Sequence, residues 1–181
     1  MTRIGFAAGL LGLSLVLAGA SLAAEPAAGA LPSAAPAPTL TDLDGRPGRL
    51  EDLLGQDRWT VVMFWASDCG VCNQEAPGWV LFDERWRSGG ARVVGVTLDG
   101  RAGLAAARAF RDRHRMGFPN LLGEPEDVAR RFTERARQPW LGTPSFLVYG
   151  PGGELRARHV GALPPGRLEE YLRKQAARPA K

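Results

Sequence analysis

The stretch WTVVMFWASDCGVC, residues 59–72, decides the fold. Its first eight residues are nearly all apolar, which is typical of a β-strand that is covered on both faces. The residues that follow, from about 70 to 87, predict a helix. A buried strand that leads directly into a helix indicates a layered α/β domain, with Cys69 and Cys72 at the point where the helix begins.

The rest of the chain alternates strand and helix patterns around that stretch. An Asp44-Gly45 turn and a Gly/Pro-rich turn at 150–153 each predict a hairpin. Apolar runs predict strands at 91–98, 145–149 and 154–160, helical spacing predicts helices at 103–115, 125–137 and 164–175, and 118–122 fits a short strand or an extended link. Helices between the buried strands, with a closing hairpin, predict an α/β domain built on a central mixed sheet.

The cysteine content indicates chemistry rather than a structural framework. The 181 residues contain two cysteines, and they lie three positions apart. A disulfide that closes so small a loop adds little entropic stabilisation. At the start of a helix, unpaired N–H groups and the helix dipole favour a thiolate. We therefore predict that Cys69 is the attacking thiol and that Cys72, one turn later, is the resolving thiol.

Several motifs together resemble the thioredoxin family, and in particular its extracytoplasmic TlpA/ResA-type reductases. They are FWASDCGVC at 64–72, CNQEAP at 72–77, GTPSF at 142–146, the turn at 150–153 and Gly161 after the last strand. The resemblance covers about residues 39–175. It implies a thioredoxin fold, a three-layer α/β/α arrangement with an N-terminal hairpin extension.

The resemblance also implies roles for residues outside the cysteine pair. Pro144 is expected in the cis form, holding the Thr143 backbone beside Cys69, where it can pair with an extended substrate and keep metals away from the thiols. Trp65 is expected to pack beside the active site as part of its surroundings. Such proteins need no bound cofactor or metal; the redox group is the Cys69–Cys72 disulfide, and a membrane reductase supplies the electrons.

Two departures from the family pattern affect the site. Thioredoxins carry a buried Asp six residues before the first Cys, and this chain has Met63 there. The proton acceptor for Cys72 must therefore lie elsewhere, and Glu75 is the candidate, with a raised pKa if it is buried. The other interpretation of Glu75 is a solvent-facing helix residue. The Gly70-Val71 dipeptide lacks the common Pro, so no reduction potential transfers from a relative.

The N-terminal segment of the chain predicts export. Residues 1–24 are typical of a signal peptide, although the apolar residues 4–22 could also form an uncleaved membrane anchor. Residues 25–38 are rich in Ala and Pro and predict an extended tether, followed by the thioredoxin-like domain at 39–176 and a frayed tail at 177–181. The periplasm is the predicted location.

Composition argues against several other functions. The formal net charge is +4, and the basic residues are scattered arginines without an interleaved aromatic tract, so nucleic acid is not expected as a partner. A zinc site needs about four ligands, and the chain adds only His114 and His159 to its cysteines. A thiol peroxidase would carry a hydroxyl residue where Ala66 stands. Copper delivery, which usually has wider cysteine spacing and an added His, is a minor alternative, as is a binding domain whose cysteines are only structural.

The function that these features favour is a protein-disulfide reductase. Its substrates would be oxidised cysteines in exported proteins, such as apocytochromes before haem attachment in cytochrome c maturation, or copper-site proteins. The alternative is a periplasmic oxidase or isomerase that introduces or shuffles disulfides. The resemblance and Glu75 favour the reductase, as does the lack of the helical insertion of DsbA-like oxidants, but direction depends on how stable the reduced form is.

Overall fold

The computed structural model describes residues 40–176, and side chains to residue 175. The predicted signal peptide or anchor, the tether and the C-terminal tail lie outside these residues and stay predictions. Within the described range, no helix is both long and apolar enough to cross a bilayer.

The predicted strands and helices are present, with small changes at their ends. Residues 118–122, for which the sequence allowed either a short strand or an extended link, contain a short strand at Asn120–Leu122. The elements are β1 (Leu40–Asp42), β2 (Pro47–Gly48), a 3-10 turn (Glu51–Leu53), β3 (Trp59–Trp65), α1 (Gly70–Trp86), β4 (Ala91–Thr97), α2 (Leu104–His114), β5 (Asn120–Leu122), α3 (Pro125–Ala136), β6 (Ser145–Tyr149), β7 (Leu155–Val160) and α4 (Pro165–Ala176).

All seven strands join one sheet in the order β2-β1-β5-β4-β3-β6-β7. The central strands β3, β4 and β5 are parallel, whereas β6 and β7 on one side and β1 and β2 on the other are antiparallel to their neighbours. The sheet is therefore mixed, as predicted, and β1 with β2 is the N-terminal hairpin extension.

The position of β3 explains why apolar residues in its sequence do not alternate with polar ones. Val61, Met63 and Trp65 face one hydrophobic core, while Val62 and Phe64 face a second core on the other side of the sheet. All five side chains have no exposed surface. A strand covered on both faces needs apolar residues at every position.

Helices cover both faces of the sheet and complete three layers. The first core contains Trp79 and Phe82 of α1, Phe110 of α2 and Leu168 of α4. The second core contains the apolar side of α3, including Phe132. The predicted α/β/α thioredoxin fold is confirmed. Because α1 follows β3 after only four residues, the cysteine pair lies at the sheet edge where parallel strands β3 and β4 end.

Gly95 is a position where we expect one added methyl group to destabilise this fold strongly. It lies on β4 between β3 and β5, and a Cβ atom there would be 2.0 Å from Asn120 Oδ1 and 2.8 Å from Trp65 Nε1. These two atoms form a buried hydrogen bond, 3.2 Å long. Gly95→Ala should lower the free energy of unfolding by about 2–4 kcal/mol, because it overpacks the site and breaks this bond.

Urea unfolding followed by circular dichroism measures this effect, and Gly166→Ala is the matched control. A Cβ atom at Gly166 in α4 meets nothing within 4 Å. In a helix Ala is favoured over Gly, so the control should be neutral or slightly more stable. Equal stabilities of the two variants would contradict the packing argument.

Candidate active site

The two cysteines lie where the first turn of α1 begins. Cys69 is the N-cap residue of the helix, and its Sγ accepts a hydrogen bond from the backbone N–H of Cys72 at 3.1 Å. The two residues form a disulfide, with Cα atoms 5.2 Å apart. A helix N-terminus supplies N–H groups and a partial positive charge to a sulfur placed there. The arrangement therefore favours a thiolate at Cys69 in the reduced protein.

Exposure distinguishes the two sulfur-bearing residues. Cys69 is partly exposed, whereas Cys72 has no exposed surface and belongs to the first core. A polypeptide substrate can therefore approach Cys69 and not Cys72. This asymmetry fits the predicted roles, with Cys69 attacking and Cys72 resolving.

The Thr143–Pro144 loop lies at the same end of the sheet. Its peptide bond is cis, as the resemblance implied. Ser145 pairs with Phe64 near the end of β3, so the residues just before Ser145 lie beside the chain that continues from Trp65 towards Cys69. Pro144 is buried and its carbonyl oxygen accepts a hydrogen bond from Gly161 N at 2.8 Å, which ties the loop to the end of β7.

Two exposed apolar side chains flank this loop and the disulfide. Val71, between the cysteines, is 40% exposed, and Leu141, two residues before Thr143, is 76% exposed. Exposed apolar side chains that lie together can mark a contact surface for another molecule. Thr143 itself is partly exposed.

Trp65 lies beneath the site rather than on its surface. Its side chain has no exposed area, its Nε1 donates to Asn120 Oδ1, and its ring stacks on Phe110 with centroids 4.4 Å apart. The structure therefore supports the packing role for Trp65, and a substrate cannot touch this side chain without rearrangement of the core.

Glu75 lies one helical turn after Cys72, on the half-buried side of α1. Met63 occupies the core, where thioredoxins have an acid. Burial is the largest influence on Glu75 and raises the pKa of its carboxyl, while the Leu163 backbone N–H, the Trp79 indole and His159 act in the opposite direction. Trp79 is near enough to influence the charge of the Glu75 carboxyl. However, Trp79 Nε1 and Glu75 Oε2 are both buried, and neither has a hydrogen-bond partner among the described residues.

A carboxyl with one unpartnered oxygen and a raised pKa suits proton exchange with a nearby thiol. Residues three apart on a helix are neighbours on its surface, with Cβ atoms roughly 5–6 Å apart. Glu75 can therefore reach the surroundings of Cys72. Its role as proton acceptor remains a prediction.

The family follows from the sequence profile that matches this chain. The AhpC/TSA family profile matches residues 32–158, which is more than half of the 181 residues. The chain belongs to the AhpC/TSA family. Its fold is thioredoxin-like, and the resemblance to ResA-type proteins is confirmed by the relatives described next.

Two relatives of this AhpC/TSA-family chain carry the name thiol-disulfide oxidoreductase ResA. The protein from Oceanobacillus iheyensis is 28% identical over 135 residues, which are 72% of this chain and 63% of the relative. The match therefore spans less than two thirds of that relative. The protein from Geobacillus kaustophilus is 25% identical over 149 residues, or 82% of this chain and 79% of the relative.

A solved structure supports the fold. The crystal structure of a thiol:disulfide interchange protein of the thioredoxin family from Chlorobium tepidum superposes with a TM-score of 0.63 and 23% identity. The match covers 81% of this chain and 98% of that chain.

Sequence reasoning about this AhpC/TSA-family chain missed a set of polar residues that hold the loop before Cys69. The Asp99 carboxylate accepts hydrogen bonds from Ser67 N and Oγ, and from Thr97 Oγ1. The sequence signal for this set was Thr97-Leu98-Asp99, in which Thr97 is the last residue of buried strand β4. Parallel strands β3 and β4 end at the same sheet edge, so a polar residue there lies next to the cysteine loop.

A second missed contact holds the same loop from the helix side. Asn73 Nδ2 donates to Ser67 O at 3.3 Å and to Cys69 O at 3.0 Å, while its Oδ1 contacts His114 Nε2 at 3.1 Å. His114 thus braces the loop through Asn73. Burial is the main cause that lowers the pKa of His114, with Arg113 adding to it.

Potential metal ligands in the described part of the chain are dispersed. Within residues 40–176, no three His, Cys, Asp or Glu side chains lie close enough together to hold an ion. His159 Nε2 instead contacts Ala162 O at 2.9 Å. The position predicted to need a hydroxyl in a thiol peroxidase is Ala66, whose carbonyl accepts from Cys69 N at 3.2 Å.

Proposed function

We propose that this chain is an extracytoplasmic thiol–disulfide oxidoreductase that reduces disulfides in exported proteins. The observation that carries the proposal is the disulfide at the start of α1, with Cys69 partly exposed and Cys72 buried, at the same end of the sheet as the cis-Pro144 loop. The chemistry resides in the two sulfurs, and the fold supplies position, exposure and local electrostatics.

The reductive half of the cycle starts from the dithiol form. The Cys69 thiolate attacks one sulfur of the substrate disulfide, which forms a mixed disulfide and releases the other substrate sulfur as a thiolate that takes up a proton. Cys72 then loses its proton and attacks Cys69 Sγ. The second substrate thiol leaves, and two electrons have passed from the protein to the substrate.

Glu75 is the proposed acceptor of the Cys72 proton. Cys72 is buried in an apolar core, where a thiolate is hard to form without a base nearby. Burial disfavours the ionised form of Glu75, so its carboxylate accepts a proton more readily than an exposed carboxylate does.

Three features support the reductive direction. The two relatives described above bear the ResA name. Burial raises the pKa of Glu75, which supports a base for Cys72 at this position. Consecutive strands among the described residues are joined by at most one helix, so residues 40–176 have no inserted helical domain.

The cellular setting is proposed from the sequence. Residues 1–24 would direct export to the periplasm, and an uncleaved segment at 4–22 would tether the domain to the membrane. A membrane reductase would return electrons to the Cys69–Cys72 disulfide. The substrates would be exported proteins with oxidised cysteine pairs, such as apocytochromes or copper-site proteins.

The reduction potential of the Cys69–Cys72 couple tests the direction. The mature domain would be equilibrated with glutathione or dithiothreitol buffers, and then offered an oxidised peptide with the haem-attachment sequence Cys-x-x-Cys-His. We expect a potential near or below thioredoxin's value of about −270 mV, together with reduction of the peptide. A value near about −120 mV, typical of a strong oxidant, would overturn the reductase in favour of an oxidase.

A further inference from the structure

Asp99 holds the loop that presents Cys69, and it does so with a negative charge. The carboxylate is half-buried after the end of β4. Ser67 N donates to its two oxygens at 3.1 and 3.2 Å, Ser67 Oγ donates at 2.7 Å, and Thr97 Oγ1 donates at 2.5 Å. Neutral donors from two segments thus fix the carboxylate in one place.

Neutral groups, and no ion pair among the described residues, hold this charge. Among the ion pairs of residues 40–176, none includes Asp99. Ser67, which carries three of the hydrogen bonds, is only two residues before Cys69. The loop between them is a tight turn, since Cys69 N donates to Ala66 O at 3.2 Å. The charge is therefore anchored to the residue two positions before the attacking cysteine.

We propose that Asp99 is a positioning residue whose fixed charge disfavours the Cys69 thiolate and so makes the dithiol a stronger reductant. This inference rests on the proposed function and adds a determinant of its direction. Asp99 holds the loop in place through Ser67 and acts on the sulfur through space. It does not touch the substrate.

The physical argument is a competition between two fields. The N-terminus of α1 stabilises a thiolate at Cys69, which alone would stabilise the reduced form and raise the reduction potential. A nearby carboxylate in a partly desolvated site repels the thiolate more strongly than an exposed one does. Reduction adds two electrons and takes up protons, and it becomes less favourable when the thiolate product is destabilised.

Other titratable groups lie on the segments around the cysteine loop, and they differ from Asp99 in exposure or in the residues that they contact. Asp68 is adjacent in sequence but exposed, so water screens its charge. Glu75 approaches from α1 on the side of Cys72. His114 approaches from α2 through Asn73. Asp99 is the carboxylate that hydrogen bonds fix to the cysteine loop.

The test compares Asp99→Asn with two controls by equilibration of the full domain with glutathione. Asn keeps the shape and an acceptor oxygen but removes the charge. We expect the equilibrium to shift towards the dithiol by threefold to tenfold, where tenfold corresponds to about 30 mV. The midpoint of the thiolate titration, read by absorbance, should fall in parallel. Asp99→Glu and Asp68→Asn should each change the equilibrium less than twofold.

A second variant covers the case in which Asp99→Asn does not fold. Thr97→Val keeps the side-chain shape but removes one donor from the carboxylate, which leaves its charge less neutralised. The equilibrium should then shift in the opposite direction, towards the disulfide. A merely structural role for Asp99 would not produce shifts of opposite sign in these two variants.

The outcomes separate this inference from the proposed function. A wild-type couple that exchanges with glutathione but is unchanged in both Asp99→Asn and Thr97→Val would overturn the inference alone. A shift in Asp68→Asn as large as that in Asp99→Asn would also overturn it, because position and burial would then not matter. A wild-type pair that does not exchange at all would overturn both.

Discussion

Replacing Cys72 by alanine is expected to trap substrate on the protein. Cys69 is partly exposed and keeps its place at the start of α1, so it can still attack a substrate disulfide. Without Cys72 no thiolate is available to release the mixed disulfide. Turnover should fall by about 10³-fold or more, and mass spectrometry should detect the chain joined to one substrate molecule.

The matched control is Cys69→Ala. Both variants lose turnover, but this one should form no adduct, because Cys72 is fully buried. Alanine keeps an apolar group at both positions, so neither variant should unfold the domain. Trapping by Cys69→Ala and not by Cys72→Ala would reverse the roles assigned to the two cysteines.

Glu75→Gln should slow the resolving step by roughly 10²-fold, because the glutamine amide cannot accept the Cys72 proton. In the wild type that step should also slow as the pH falls through the raised pKa of Glu75, because the protonated carboxyl is no longer a base. The variant should lose this pH dependence. Stopped-flow measurement of adduct release between pH 4 and about pH 8 compares the two proteins.

The same substitution should raise stability at neutral pH. A carboxyl whose pKa is higher in the folded state than in the unfolded chain binds its proton more tightly when folded, so the protein loses stability as the pH rises through that pKa. Burial raises the pKa of Glu75, so Glu75→Gln should be the more stable protein above this range and similar to wild type well below 4.5. A solvated Glu75 would show neither effect; Glu84→Gln, an exposed position on the same helix, is the control.

The parts of the fold that local pattern controls could be predicted. The apolar run of β3 has no charged residue because both of its faces are covered, and that pattern is visible in one segment. The start of α1 followed from the cysteine motif. The cis bond before Pro144 could not come from local pattern, since most X–Pro bonds are trans, and only the resemblance implied it.

The contacts that join distant segments could not be predicted. Ser67 and Asp99 are 32 residues apart, and Asn73 and His114 are 41 residues apart. A polar residue after a strand or at a helix end has many partners open to it until the sheet order is known. Similarly, the need for glycine at position 95 could not be predicted, because it depends on the Trp65–Asn120 hydrogen bond. The two atoms of that bond occupy the space that a Cβ atom at position 95 would need.

The two outer strands of the sheet have a consequence for a protein that handles extended polypeptides. Such chains can add as new strands to any free sheet edge and seed aggregation. Here one edge, β2, has only two residues, and the other, β7, exposes Arg156 and Arg158. Both edges are poor templates for strand addition. The predicted pairing of an extended substrate with the Thr143 backbone would therefore meet little competition from these edges.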